Sequence, residues 1–237
     1  MIFENVKEVD VSAVNGKVEI EGWENDHAEV SYTVHGDARV EINRRGGGKL
    51  VIKEKPKKRF FNMLGKSGWA EIIVKVPRNV PVIASSVNGG EIRARNVSFE
   101  KVSTVNGRIE VEDCKAGEIS NVNGRVKAHL ALAKSLKASS VNGPMEVEIE
   151  ELEGNAKIST VNGSITLSLS DFCDARIRTS RVNGGAVTFE GTDPENPVIG
   201  TGEFEVKVST VNGNIVVRRI YYPLFFAHPA RKVEGGE

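Results

Sequence analysis

A five-residue phrase, Ser-x-Val-Asn-Gly, returns eight times in this chain and constrains its fold more than any other feature. It reads SAVNG at 12–16, SSVNG at 85–89 and 139–143, STVNG at 103–107, 159–163 and 209–213, SNVNG at 120–124, and SRVNG at 180–184. From Val87 the Val recurs at Val105, Val122, Val141, Val161, Val182 and Val211, in steps of 18, 17, 19, 20, 21 and 29 residues, with an outlying copy at Val14. A period near twenty residues built on one phrase marks a solenoid, in which each repeat stacks on its neighbours because it cannot bury its apolar face alone.

The flanks of the phrase are strand-like. Two positions after the Gly stand Val18, Ile109, Val126, Met145, Ile165 and Ile215, and two further on stand Ile20, Val111, Ala128, Val147, Leu167 and Val217. Period-two alternation over short β-branched runs reads as strand. A second Gly, at Gly90 and Gly185, shifts the pattern by one residue, to Ile92 and Val187. No sustained 3.6-residue period interrupts the repeat region, so the chain is expected to be all-β.

Asn-Gly between alternating runs is also the strongest short hairpin signal, and eight hairpins would make a meander. A hairpin, however, needs only Asn-Gly and gives no reason for Ser and Val at every copy. Stacking does. Coils about 4.8 Å apart would align Ser12, Ser85, Ser103, Ser120, Ser139, Ser159, Ser180 and Ser209 in one column. They would align Asn15, Asn88, Asn106, Asn123, Asn142, Asn162, Asn183 and Asn212 in a second, and Gly16, Gly89, Gly107, Gly124, Gly143, Gly163, Gly184 and Gly213 in a third. The Ser and Asn side chains would then form hydrogen-bonded ladders with buried partners, and the Val column would fill a tight corner. Gly would supply the positive φ or the close backbone approach of the turn.

The expected architecture is a parallel β-solenoid, β-helix-like, over 81–220. An N-terminal β-meander over 1–80 would pack on its start, and an aromatic cap and tail would follow over 221–237. The stretch EGTDPENPVIGTGE in the 29-residue step reads as a loop extruded from one coil. Half of the aromatic residues gather in two places: Phe60, Phe61 and Trp69, beside Met63 and Leu64, and Tyr221, Tyr222, Phe225 and Phe226. They read as end caps, or as a patch for a partner chain or a membrane surface, since Lys and Arg flank both stretches.

Thirty-two basic residues balance thirty-two acidic ones, so no global field draws the chain to nucleic acid. No apolar run approaches the roughly 18–20 residues of a membrane span. Cys114 and Cys173 show no metal-like spacing and are expected as free thiols in a reducing compartment. As written, the chain is expected in the cytoplasm, with a surface location only if a leader has been removed. The four His are scattered and read as surface side chains rather than ligands. The run Glu146, Glu148, Glu150, Glu151, Glu153 reads as the solvated face of a strand, with a cation site or half of a glycosidase pair as its functional alternative. No cofactor, metal or catalytic residue is expected.

The iterated S-x-V-N-G-x-I-x-V phrase resembles the putative-adhesin β-strand-repeat family, bacterial and archaeal domains of unknown function similar in style to the head GIN domains of autotransporter adhesins. The entry VSAVNGKVEIEGWENDHAEVSYTV and the lead-in VKVPRNVPVIASSVNG carry the same likeness, which covers about 5–220. The resemblance implies a β-solenoid without established chemistry, and no functional residue is carried over from it. A non-enzymatic module presenting a regular surface to a protein or polysaccharide is therefore expected, with self-association through the 221–226 stretch. The alternatives are a membrane-surface or envelope-stress scaffold acting through the basic-aromatic stretches, and a carbohydrate-active β-helix enzyme.

Overall fold

The computed structural model describes residues 1–56 and 68–221. Among them, strands alternate with short corners: β1 Ile2–Glu4, β2 Glu8–Ala13, β3 Lys17–Trp23, β4 His27–His35, β5 Ala38–Arg45, β6 Lys49–Pro56, β7 Trp69–Pro77, β8 Pro81–Arg95, β9 Ser98–Asn123, β10 Val126–Asn142, β11 Met145–Ile149, β12 Ala156–Asn162, β13 Ile165–Ser170, β14 Ala175–Asn183, β15 Val187–Glu190, β16 Val198–Ile199, β17 Phe204–Asn212 and β18 Ile215–Ile220. Between β5 and β6 lies one 3₁₀ turn, Gly46–Gly48. No helix among the described residues is long and apolar enough to cross a membrane.

Each repeat is one coil: a strand leading into the Val-Asn-Gly corner, then a strand leading out. Successive coils pair in parallel with their phrases in register, as in Ser85↔Ser103, Ser120↔Ser139 and Ser159↔Ser209. The extra Gly at 90 and 185 is absorbed as expected, because Ile92 pairs with Ile109 and Val187 with Ile215. The core lies between the lead-in and lead-out strands. Val11, Ala84, Val102, Ile119, Ala138, Ile158 and Val208 face inward from the first set, and Val18, Ile92, Ile109, Val126, Met145, Ile165 and Ile215 from the second. Each large side chain so buried is worth about 1.5–3 kcal/mol against leaving it in water.

The order of coils in space departs from their order in the chain at both ends. The first coil, β2 and β3, lies one layer in: β2 pairs with β6 and β8, and β3 with β7 and β8. The 49–77 segment is therefore the outer coil. Its free edges are covered by antiparallel strands, β5 on β6 and β4 on β7. The expected consecutive meander is not formed, because β6 and β7 pair in parallel with the stack and leave β4 and β5 as covers. At the far end, β17 pairs with β12 on one side and β14 on the other, and β18 lies likewise between β13 and β15. The 175–190 coil is the outer one, and the chain returns to insert 204–220 beneath it. The 29-residue step is thus the connection that makes this return rather than a loop from one coil, and within it Ile199 is buried and pairs with Ala175.

The sheet is mixed, not purely parallel, since β1–β4, β4–β7, β5–β6 and β14–β16 are antiparallel. The expected aromatic cap falls at Tyr222, Phe225 and Phe226, outside the described residues, as do Phe60, Phe61, Met63 and Leu64. Both cysteines are free and buried, and burial pushes each thiol up to about 11.

Candidate functional site

The corner turns on its glycines. A Cβ on Gly107 would drive into the carbonyl oxygen of Gly90 one coil away, and one on Gly143 into that of Gly124. At Gly143 the backbone also has φ +145°, which L side chains rarely adopt. Gly90 and Gly185 occupy the stacked position: a Cβ on Gly90 would strike the Gly16 carbonyl and one on Gly185 that of Gly213, whereas one on Gly184 would meet nothing.

Part of the Asn column forms a ladder. Asn123 Nδ2 donates to Asn106 Oδ1 at 2.8 Å, Asn142 to Asn123 at 2.8 Å, Asn162 to Asn142 at 2.9 Å and Asn212 to Asn162 at 2.7 Å. Asn88 donates to Asn15 at 3.1 Å. Beyond Asn15 no further motif follows, and a carboxylate takes its place: Glu54, buried, accepts from the backbone amides of Val14 and Asn15. The ladder is exposed rather than interior, so each bond carries the modest net value of a solvated one.

The Val column does not fill the corner. Val87, Val105, Val141, Val161 and Val182 are 38–71% exposed, and Val14, Val122 and Val211 are half-buried. The reason is parity. Side chains alternate along a strand, so an inward Val102 sends Ser103 and Val105 outward and Thr104 inward. The variable second letter is the buried one, at Ala13, Ser86, Thr104, Asn121, Ser140, Thr160 and Thr210. The Ser column is aligned and largely half-exposed, but among the described residues no Ser–Ser hydrogen bond joins it.

Two residues before each Ser lies another outward column, which the sequence reading did not single out. Register places Lys137 beside Lys157, Lys157 beside Lys207, and Lys207 beside Arg178. Four exposed cations therefore follow one another at about 4.8 Å spacing, next to the Ser, Val and Asn columns. Glu205 takes Lys207 at 2.8 Å and Arg178 at 2.9 Å, and its hydrogen bond from Lys207 holds its carboxyl below the usual range. Among the described residues Lys137 and Lys157 have no acidic partner, since the adjoining Glu118 is taken by Lys101 at 3.0 Å. Like charges directly opposite in a sheet oppose folding, so this column works against stability.

The face after the corner is built the other way. Lys75 meets Glu21 at 3.7 Å, Arg93 meets Glu110 at 3.6 Å, Arg108 meets Glu91 at 3.7 Å and Arg218 meets Glu190 at 2.7 Å, so charge alternates from coil to coil and neutralises itself. Of the aromatic patch, Trp69 stacks on His35 at 4.2 Å in the outer N-terminal coil, and Tyr221 follows β18 under Arg219. Seven coil spacings, roughly 34 Å, separate these two, so they do not form one surface. The basic column could have been found in the sequence by aligning the copies on Ser and reading two positions back.

No curated protein matches the chain. Among solved structures it is similar to a "putative cell adhesion protein" from Clostridium sporogenes ATCC 15579, at 16% identity over 93% of this chain and 97% of that one, with a TM-score of 0.41. It is similar also to a "putative adhesin" from Bacteroides fragilis NCTC 9343, at 12% identity over 93% and 96%, again with a TM-score of 0.41. Likeness at this level carries no argument about binding. The family pattern that does match is not the GIN domain of the earlier resemblance: it is that of the Toastrack DUF4097 domain, over residues 83–218. Covering more than half of the chain, that match shows that the protein belongs to the Toastrack DUF4097 family.

Proposed function

We propose that this protein is a non-enzymatic interaction module that binds an extended acidic polysaccharide along its lead-in face. The observation that carries the reading is the column Lys137, Lys157, Lys207, Arg178, in which one carboxylate, Glu205, serves two of the four cations and Lys137 and Lys157 have none among the described residues, set against a lead-out face where neighbouring coils exchange ion pairs. A column of like charge costs stability in the free protein and is offset when a partner supplies one anion per coil. The exposed Val ridge offers apolar contact to sugar rings, and the flanking Ser hydroxyls and Asn amides offer hydrogen bonds to their hydroxyls. A linear polymer fits because the columns run straight along the stack.

The test is binding of the intact chain to polygalacturonate, with neutral dextran as control, at several salt concentrations. Binding to the acidic polymer alone, weakening with salt and falling at least tenfold in a Lys137→Glu, Lys157→Glu double variant, supports the reading. Equal binding to dextran, or an unaffected double variant, sinks it. Binding to anionic vesicles without binding to the polymer would favour the membrane-surface alternative.

A further inference from the structure

A second place stands out on the opposite, charge-paired face, and it owes nothing to the polysaccharide reading. Asp113 sits at a coil corner with φ +53°, His129 lies one coil on, and Glu148 pairs with His129 in register from the coil after that. Glu150 follows two residues later. Asp113 Oδ1 stands 3.0 Å from His129 Nδ1, Glu150 Oε1 stands 3.0 Å from Nε2, and Glu148 Oε1 stands 3.6 Å from Nε2. Candidate ligand atoms of Asp113, His129 and Glu150 all lie within 4.8 Å of one another.

Two features separate this cluster from the ion pairs around it. The first is charge: the ion pairs described above each join a carboxylate to a Lys or Arg, whereas here Asp113 and Glu150 each lie 3.0 Å from one imidazole, which can carry at most one positive charge. The second is geometry. His129 Nε2 is shut off from solvent and has no hydrogen-bond partner, although Glu150 Oε1 is within reach by distance. Close approach without hydrogen-bond alignment is the relation of atoms that share a third centre. Around a tetrahedral ion with bonds of about 2.0–2.2 Å, ligand atoms lie roughly 3.3–3.6 Å apart. The observed 3.0 and 3.6 Å need shifts of only a few tenths of an ångström.

We infer that this cluster is a divalent metal site, with His129 Nε2, Glu150 and Glu148 as ligands and Asp113 holding the ring through Nδ1. A carboxylate on the second nitrogen fixes the ring and raises its basicity, as histidine ligands usually require. One imidazole with carboxylates suits zinc or manganese; calcium and magnesium prefer all-oxygen shells, and no thiolate is present to favour copper(I). The ion would tie together two consecutive coils, and Asp113 would join the third to them through the ring.

The test uses the intact chain, stripped with a chelator and titrated with zinc, manganese, calcium and magnesium in separate calorimetric runs and thermal melts. One equivalent of zinc or manganese should bind and raise Tm by several degrees at about 100 times Kd, and calcium should not. His129→Gln should abolish that binding while the stripped variant keeps its β-sheet circular dichroism, and Asp113→Asn should weaken it about 10–100-fold. If His129→Gln fails to fold, Glu150→Gln gives the same reading. Lack of zinc and manganese binding in the wild-type chain, or zinc binding untouched by these variants, would reduce the cluster to an ion-pair network.

Discussion

Asn121 is 2% exposed, and neither atom of its amide has a hydrogen-bond partner, in a column whose other buried polar members are Ser or Thr. A buried amide without partners costs about 1–3 kcal/mol, more than a hydroxyl that can turn toward a neighbouring carbonyl as Thr210 does toward Gly163 at 3.1 Å. Asn121→Thr should therefore stabilise the protein by about 1 kcal/mol, seen as a higher urea midpoint at unchanged slope. Glu54 is the opposite case. Its carboxylate closes the N-terminal end of the ladder, so Glu54→Ala should cost about 2–4 kcal/mol by leaving the Val14 and Asn15 amides unpaired. The two thiols give a pH signature. Burial raises each to about 11, so the folded state holds its protons longer than the unfolded one, where thiols titrate nearer 9. The associated stability is complete below pH 9 and is lost as pH rises through 11, by up to roughly 2–3 kcal/mol per thiol. Chemical denaturation at pH 8 and pH 10.5 checks this, and Cys114→Ala with Cys173→Ala should flatten the difference.

Within the single strand, stability and binding are set against each other. Lys157 lies between Lys137 and Lys207. Lys157→Glu should stabilise the free protein by a few tenths to about 1 kcal/mol while weakening polysaccharide binding, a trade typical of functional surfaces. Gly107→Ala should cost about 2–4 kcal/mol, because the two coils cannot part to admit a methyl group against the Gly90 carbonyl. Much at this scale was legible in the sequence. Identical residues at a fixed period gave the coils, and the apolar residues two and four positions after each Gly do line the core. The direction of the motif Val was also encoded, in the parity from Val11, Val102 and Ile119, but an apolar residue repeated eight times suggests a core position. Composition says that a residue is apolar; only its place in the alternation says which way it points. The meeting of Asp113, His129, Glu148 and Glu150 was legible only through register, since their spacings of 16 and 19 residues are single turns of the stack.

At the level of the whole molecule, the unforeseen feature is the order of the outer coils. A step of 29 residues between copies reads as an extruded loop, because length alone does not say where a chain goes next. The structure has the last described coil paired on both edges, to β12 and β13 on one side and to β14 and β15 on the other. A chain truncated after residue 203 should therefore lose far more than one repeat. The 175–190 coil would be left without either parallel partner, and Tm should fall by more than 10 °C, not by the small step expected when an outermost repeat is trimmed. Refolding should be slow for the chain length, since 204–220 can dock only after both neighbours exist, and double-jump kinetics would time that step.

Most tandem arrays grow or shrink at their tips, where a unit can be gained by duplication without disturbing the rest. Here neither end of the described chain lies at a tip: the 49–77 coil covers the first turn and the 175–190 coil covers the last described one, so a copy appended to the first or the last turn would not fall in line with the stack. A longer relative with the same ends must have gained its extra turns in the stretch from β8 to β13.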